Sequence, residues 1–264
     1  MRKTYPTSLS DQEWACLKPH LLASKPLGRL RTHTLRDAFD GIVYILRSGY
    51  SWRLLPHDFP PWPTVYYPFR KFRLSGVWHL VFKALHTAER KRVGKNVDAS
   101  AATIESQRVK TTDEGARSNG YDVHKNIKGR KRYLLIDTLG LPLSVYVTPA
   151  NVHDRVGARH LLAGLGLLVP HPKKIWADAA SGGEEFASWC EEQGGWALEI
   201  AERNTQTKGF KVLPKRWIVE RTFSWLIRNR RLRVRTTSAG EQTSETLVKV
   251  TAIRLILRRL ARSA

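Results

Sequence analysis

Through the first 90 residues the apolar positions recur at helical spacing, punctuated by capping residues, Gly and Pro. Ser10-Asp11-Gln12-Glu13 has the form of a capping box, in which a Ser hydroxyl and a Glu carboxylate satisfy each other's free amides; it predicts a helix over residues 11–22. Thr34 caps a second helix whose Leu35, Ala38, Phe39, Ile42 and Leu46 share one face and which stops at Gly49. A Pro-rich bend follows, with three Pro among the five residues 59–63, so the chain is expected to be non-helical there and to restart at Thr64. The helix over 65–74 carries Arg70, Lys71 and Arg73 among Tyr66, Tyr67, Phe69 and Phe72. Gly76 separates it from a helix over 78–90.

Residues 89–97 lack apolar periodicity and read as a linker, which divides the chain into a helical domain (1–92) and a second domain (93–264). In the second, short apolar runs at 101–105, 133–136, 143–147, 175–177 and 197–200 suit strands. Helical stretches lie near 156–168, 183–192, 216–232 and 244–262. Asp137-Thr138-Leu139-Gly140 is short enough to join two strands as a hairpin. Three antiparallel strands, then αβαβ and two terminal helices, make a mixed α/β sheet.

Charge narrows the function. Lys and Arg number 45 against 23 acids, a net charge of +22, which an enzyme of small neutral metabolites has no reason to carry. A polyanionic partner is implied, and no small-molecule substrate. Residues 1–97 hold 17 basic and 6 acidic residues and residues 98–264 hold 28 and 17, so both halves are expected to meet the polyanion. The longest apolar run, 161–169, has nine residues including two Gly, well short of the ~20 that span a bilayer. The N-terminal residues lack an apolar signal core, so a cytoplasmic or nucleoid location and no membrane association are expected. Cys16 and Cys190 have neither zinc-ligand spacing nor a disulfide framework and read as reduced thiols.

Three acids stand in informative settings. Glu220 is the one acid among eleven basic residues between Arg203 and Arg235, framed by Trp217, Phe223 and Trp225. On one continuous helix, Arg216 and Arg231 would fall near its azimuth as phosphate-binding guanidiniums. Asp178 ends the apolar run Lys174-Ile175-Trp176-Ala177 before the small-residue turn Ala179-Ala180-Ser181-Gly182-Gly183. Glu105 is expected to end the strand Ala101-Ala102-Thr103-Ile104 in the same way. Three carboxylates from two strand ends and a helix suit two divalent ions, the arrangement used for in-line phosphoryl transfer.

The blocks Ile104-Glu105-Ser106-Gln107-Arg108-Val109-Lys110-Thr111-Thr112, Gly120-Tyr121-Asp122, Lys128-Gly129-Arg130-Lys131-Arg132, Leu135-Ile136-Asp137-Thr138-Leu139-Gly140, Ala177-Asp178 and Arg216-Trp217-Ile218-Val219-Glu220-Arg221-Thr222-Phe223-Ser224-Trp225-Leu226 stand in one order along the chain. They resemble the signature blocks of bacterial insertion-sequence-five-type DDE transposases, and Trp52-Arg53-Leu54-Leu55-Pro56 is similar to that family's N-terminal block. The resemblance implies a ribonuclease-H-like catalytic domain after a small helical DNA-binding domain. It also implies two Mg²⁺ ions (or Mn²⁺) as cofactors, double-stranded DNA as partner, and a homodimer when two DNA ends are synapsed. Block by block it assigns Asp178 and Glu220 to the second and third acidic positions. At the first, where the family has Asp, this chain has Glu105, one methylene longer. Asp98 lies seven residues earlier, an odd offset that on a regular strand faces the other side of the sheet.

The basic candidates for DNA contact are Arg70, Lys71 and Arg73 on the 65–74 helix, which reads either as a recognition helix or as a core helix with a charged face, and Lys110. Lys125, Lys128, Arg130 and Lys131 belong to the basic run 124–132, expected to be a Gly-bearing loop leading into a strand; Arg216, Arg221, Arg228 and Arg231 surround Glu220. His153 and Asp154 read as structural. The leading function is a transposase that binds terminal inverted repeats and carries out metal-dependent strand cleavage and transfer. The alternative is a relative that Glu105 has disabled and that only binds DNA, as a regulator. An RNA-associated scaffold accommodates the charge but not the isolation of Glu220.

Overall fold

The computed structural model describes residues 4–21, 32–111, 119–165, 172–178, 182–200, 216–233 and 240–262. The chain forms two compact units, one of residues 1–95, 228–234 and 246–264, the other of residues 96–227 and 235–245.

In the first unit, α1 (Asp11–Leu17) opens on the expected capping box: Ser10 Oγ accepts from the Glu13 amide at 3.1 Å and the Ser10 amide donates to Glu13 Oε2 at 2.8 Å. The helix ends at Leu17, earlier than its apolar spacing suggests, because Pro19 turns the chain into a 3-10 turn over Lys18–His20. The residue expected to close it, Leu22, lies outside the described residues. Thr34 and Asp37 form a second capping box for α2 (Leu35–Ser48), and Gly49, at φ 82°, closes it in the left-handed region that glycine adopts without strain. The third helix, α3 (Trp62–Leu74), begins two residues before Thr64, since Pro63 falls in its first turn, where an amide is not needed. Helix α4 (Val77–Arg92) runs into the segment expected as a linker: Glu89 is buried, 2.7 Å from Arg92 and 3.7 Å from Arg259.

Phe39, Ile42, Leu46, Val65, Phe69, Phe72, Trp78 and Leu85 are buried in this unit, with the Trp78 indole donating to the Phe69 carbonyl at 3.0 Å. Residues 228–234 and 246–264, grouped by sequence with the second domain, fold here. The reason is visible in α9 (Glu241–Leu260): Val250, Ile253 and Leu257 are fully buried, and Arg254 makes a buried ion pair with Glu13, 241 residues earlier. No helix among the described residues is long and apolar enough to cross a membrane.

The second unit is built on six strands: β1 (Ala101–Lys110), β2 (Gly120–Asp122), β3 (Ile127–Asp137), β4 (Pro142–Pro149), β5 (Lys174–Ala177) and β6 (Ala197–Ile200). Their order is β2-β3-β1-β5-β6, with β4 also pairing with β3. Pairings among β1 to β4 are antiparallel, while β1–β5 and β5–β6 are parallel, giving the expected mixed α/β sheet. The parallel strands are connected by α5 (Asp154–Ala163) and α6 (Glu184–Gly194). One sheet face supplies Ala102, Ile104, Tyr133, Leu135, Ile175 and Ala177 to a core completed by Leu161 and Leu162 of α5 and Phe186 and Cys190 of α6. Gly157 lets α5 approach, since a Cβ there would lie 2.1 Å from Tyr133 Cζ. At the β3–β4 turn, Asp137 Oδ1 accepts from the amides of Leu139 (2.9 Å) and Leu141 (2.8 Å), and Gly140 takes φ 78°.

Candidate active site

Glu105 lies in the middle of β1, not at its end, because the strand continues through Ser106–Lys110 paired with β3 as far as Gly129. Side chains alternate along the strand: Ala102 and Ile104 enter the α5–α6 core, so Thr103 and Glu105 take the opposite face. Thr103 is paired in parallel register with Trp176 of β5. That pair is the last of the register, Ile175 and Ala177 enter the core, and Asp178 is the first residue past β5. Glu105 and Asp178 are both half-buried. Asp98 is exposed and precedes β1, so it shares no strand with Glu105.

The third acid stands on α7 (Arg216–Ile227), whose Ile218, Val219, Thr222 and Leu226 are buried while Glu220 is exposed. This helix packs against β1, and among the described residues none of its side chains belongs to the α5–α6 core. Thr222 Oγ1 donates to the Gly140 carbonyl at 2.9 Å, and Arg221 Nη2 to the Leu139 carbonyl at 3.3 Å. The Arg221 guanidinium lies 4.4 Å from the Trp217 ring centre and 4.8 Å from that of Trp225. Burial lowers its pKa. Carboxylates are hard oxygen donors of the kind Mg²⁺ takes, so the donor chemistry of Glu105, Asp178 and Glu220 fits the ion. Among the described residues, however, no three His, Cys, Asp or Glu side chains are gathered as a metal-holding group.

The expected helix over 216–232 is two helices. It breaks at Arg228–Asn229, and α8 (Arg230–Arg233) follows, with the Asn229 carbonyl accepting from Leu232 at 2.8 Å. Arg231 therefore does not share a helix with Glu220. Its Nη1 donates to the carbonyls of Gly49 (3.3 Å) and Tyr50 (3.0 Å) at the end of α2, and burial lowers its pKa. The side chain of Arg216 lies outside the described residues.

The basic run 124–132 is also not a loop throughout, since β3 begins at Ile127. Arg130 and Lys131 are 3% and 5% exposed, which removes both from any surface that meets phosphate. Lys131 Nζ instead lies 3.5 Å from Asp122 and 3.4 Å from Asp154, and Arg108 pairs with the same two carboxylates at 2.5 and 3.4 Å. Tyr133 Oη (3.3 Å) and Ser106 Oγ (3.5 Å) also donate to Asp154. The Arg108 hydrogen bond, aided by the Lys125 amide and Lys131, holds the Asp122 carboxyl down at about 2 despite its burial. Burial followed by the neighbouring Asp154 pushes the Tyr133 phenol up. Next to this cluster in the strand, burial followed by Arg130 pushes Arg132 down to about 10. The expected structural role of Asp154 and His153 holds: His153 caps α5, its Nδ1 accepting from the Arg155 amide at 3.4 Å. Asp122 and Arg108 were not singled out as network members in the sequence; the only local signal was their place in two of the ordered blocks. Of the remaining basic candidates, Arg70, Lys71, Lys110, Lys125, Lys128 and Arg228 are exposed and Arg73 is half-buried.

Residues 97–255 match the family model of the transposase DDE domain, and residues 9–82 match that of an IS4/5-family transposase. A Burkholderia cepacia protein named as transposase for insertion sequence element IS402 is 33% identical over 114 residues, 40% of this chain. The chain spans about half the length of that relative, 53%. A second Burkholderia cepacia protein, a 16.2 kDa product of insertion element IS402, is 27% identical over 116 residues, which cover 41% of this chain and 77% of the relative. The mixed sheet after a helical N-terminal region is consistent with the ribonuclease-H-like DDE fold.

Proposed function

Because the chain belongs to the transposase DDE-domain family of IS4/5 type, we propose that it is the transposase of an insertion sequence, binding double-stranded DNA at the element's terminal inverted repeats and cutting and joining strands. The observation that supports this reading is the parallel pairing of β1, the strand that holds Glu105, with β5, the strand that Asp178 follows. In this reading Glu105, Asp178 and Glu220 would hold two Mg²⁺ or Mn²⁺ ions, and the chemistry these would supply is activation of a water or a DNA 3′-hydroxyl and charge stabilisation for in-line attack at phosphorus. No covalent protein intermediate is needed.

The chain's own cations do the positioning. Arg70, Lys71, Lys110, Lys125, Lys128 and Arg228 are exposed, and in this reading they contact phosphates, which fixes the duplex in register without reading its sequence. The helical unit supplies end recognition through α3, the sheet-bearing unit of residues 96–227 and 235–245 supplies chemistry, and two copies pair to hold two DNA ends. The site of action is the cytoplasm, at the nucleoid. A second reading is favoured by one observation, Glu105 in place of the family's Asp: a DNA-binding regulator whose longer side chain has displaced an ion from a shell that tolerates little distortion.

The deciding experiment incubates the purified chain with its own element's end DNA and Mg²⁺ or Mn²⁺ and maps the cut strands. Asp178→Asn and Glu220→Gln are each expected to abolish cleavage while leaving DNA binding largely intact. Cleavage at the wild-type rate in either variant refutes that residue's role, and binding without cleavage in the unmodified chain selects the regulator.

A further inference from the structure

Arg221 follows the proposed metal-holding Glu220 within the strongly basic stretch 203–235, where a phosphate contact would be the ordinary assignment. Its surroundings argue otherwise. The guanidinium lies within cation–π reach of indoles one turn away along the helix in each direction, 4.4 Å from the Trp217 ring centre and 4.8 Å from that of Trp225. Its Nη2 is spent on the Leu139 carbonyl at 3.3 Å, and its Nε is buried without a hydrogen-bond partner. A guanidinium grips phosphate with two parallel N–H donors; of its two such edges, the Nε–Nη2 one is turned into the protein, and the Nη1–Nη2 one shares the Nη2 already donating to Leu139. Space at the turn is equally committed: a Cβ on Gly140 would lie 3.1 Å from Arg221 Nη2, 3.1 Å from Thr222 Oγ1 and 3.4 Å from Trp225 Cζ3.

We propose that Arg221 is a positioning residue and not a DNA ligand: stacked between Trp217 and Trp225, it clasps α7 onto the β3–β4 turn and so sets where Glu220 stands. The inference rests on the proposed metal role of Glu220. It accounts for an arginine where any cation would serve a phosphate, because only a planar group stacks on two rings while donating in its own plane.

The test is amide hydrogen exchange of the full-length chain, read on peptides covering residues 137–141 and 217–227. Alongside it run Mn²⁺ binding by electron paramagnetic resonance and the salt dependence of binding to duplex DNA. Arg221→Met and Arg221→Lys are each expected to speed exchange in those peptides by about tenfold, weaken Mn²⁺ binding several-fold and leave the salt slope unchanged. Lysine does not rescue, since an ammonium cannot stack flat. Trp225→Leu, which removes no charge, is expected to do the same. Unchanged exchange in all three variants overturns the clasp. So does a salt slope that falls by about one in Arg221→Met and is restored in Arg221→Lys, the signature of a lost phosphate contact. Glu220→Gln separates the clasp from the reading beneath it: loss of Mn²⁺ binding with unchanged exchange is expected. An unmodified chain that binds no Mn²⁺ sinks the metal reading, while exchange still decides the clasp.

Discussion

The ion network at the end of β1 and β3 gives the sharpest quantitative expectation. Asp122 is 4% exposed and neutralises two cations at once, Arg108 at 2.5 Å and Lys131 at 3.5 Å, while Asp154 stands 3.4 Å from each. Two carboxylates thus balance two cations. Asp122→Asn keeps the shape and the Oδ1 that accepts from the Lys125 amide at 3.2 Å, but leaves Asp154 facing both cations alone. Stranding a buried charge costs about 3–5 kcal/mol, and since the Arg108 side chain is 22% exposed the expected loss is nearer 2–4 kcal/mol. Urea unfolding of the full-length chain at pH 7 measures it. Removing the excess cation as well, in Asp122→Asn/Lys131→Met, should recover about half.

The same group predicts a pH profile. The native Asp122 carboxyl is held at about 2, below its ordinary value of 3.8, so the native state binds fewer protons than the unfolded chain through this range. Its contribution is complete above pH 4 and is lost as pH falls through about 2; discounted for screening it amounts to about 1–2 kcal/mol. Asp122→Asn should therefore flatten the acid limb. A loss under about 0.5 kcal/mol at neutral pH, or an acid limb unchanged in the variant, would refute the claim that the network stabilises the folded chain.

Three further expectations follow from other parts of the chain. Glu105→Asp should raise strand cleavage, by as much as ~10²-fold if the extra methylene displaces an ion by ~1 Å; a slower Asp variant of an active wild type would show Glu105 to be a working ligand. DNA affinity should fall by about 10³ or more between 50 and 200 mM salt, measured by equilibrium titration with an end duplex, because many phosphates are neutralised; a flat response contradicts the exposed cations as the binding surface. Gly157→Ala should cost about 3 kcal/mol in urea unfolding, since the new Cβ would stand 2.1 Å from the Tyr133 ring, which is fully buried and tethered to Asp154. Near-wild-type stability there would mean that α5 slides away without loss.

What the sequence determined by itself was short-range. Ser10 with Glu13, Thr34, Gly49, and Asp137 with Gly140 each act within four residues of themselves, so the start of α1, both ends of α2 and the β3–β4 turn were legible from the residues that make them. Most of the order of strands and helices was legible too, because apolar periodicity reports which side of an element is dry; β2, whose Gly120-Tyr121-Asp122 has no apolar run, and the break between α7 and α8 were not. The family blocks marked Glu105, Asp178 and Glu220. Tertiary structure decided whatever depends on a partner far along the chain. Cations at 130–132 read as surface until Asp122 and Asp154 are brought beside Lys131, and β1 looks finished at Glu105 until β3 supplies hydrogen bonds to the polar residues beyond it. The last helix reads as part of the second domain until its Arg254 reaches Glu13. Arg221 reads as a phosphate ligand until a turn 82 residues earlier takes its hydrogen bond. In each case the charge on a side chain is local information, but whether that charge faces water, a carboxylate or an indole is set by long-range pairing, and that is what makes it structural or available to DNA.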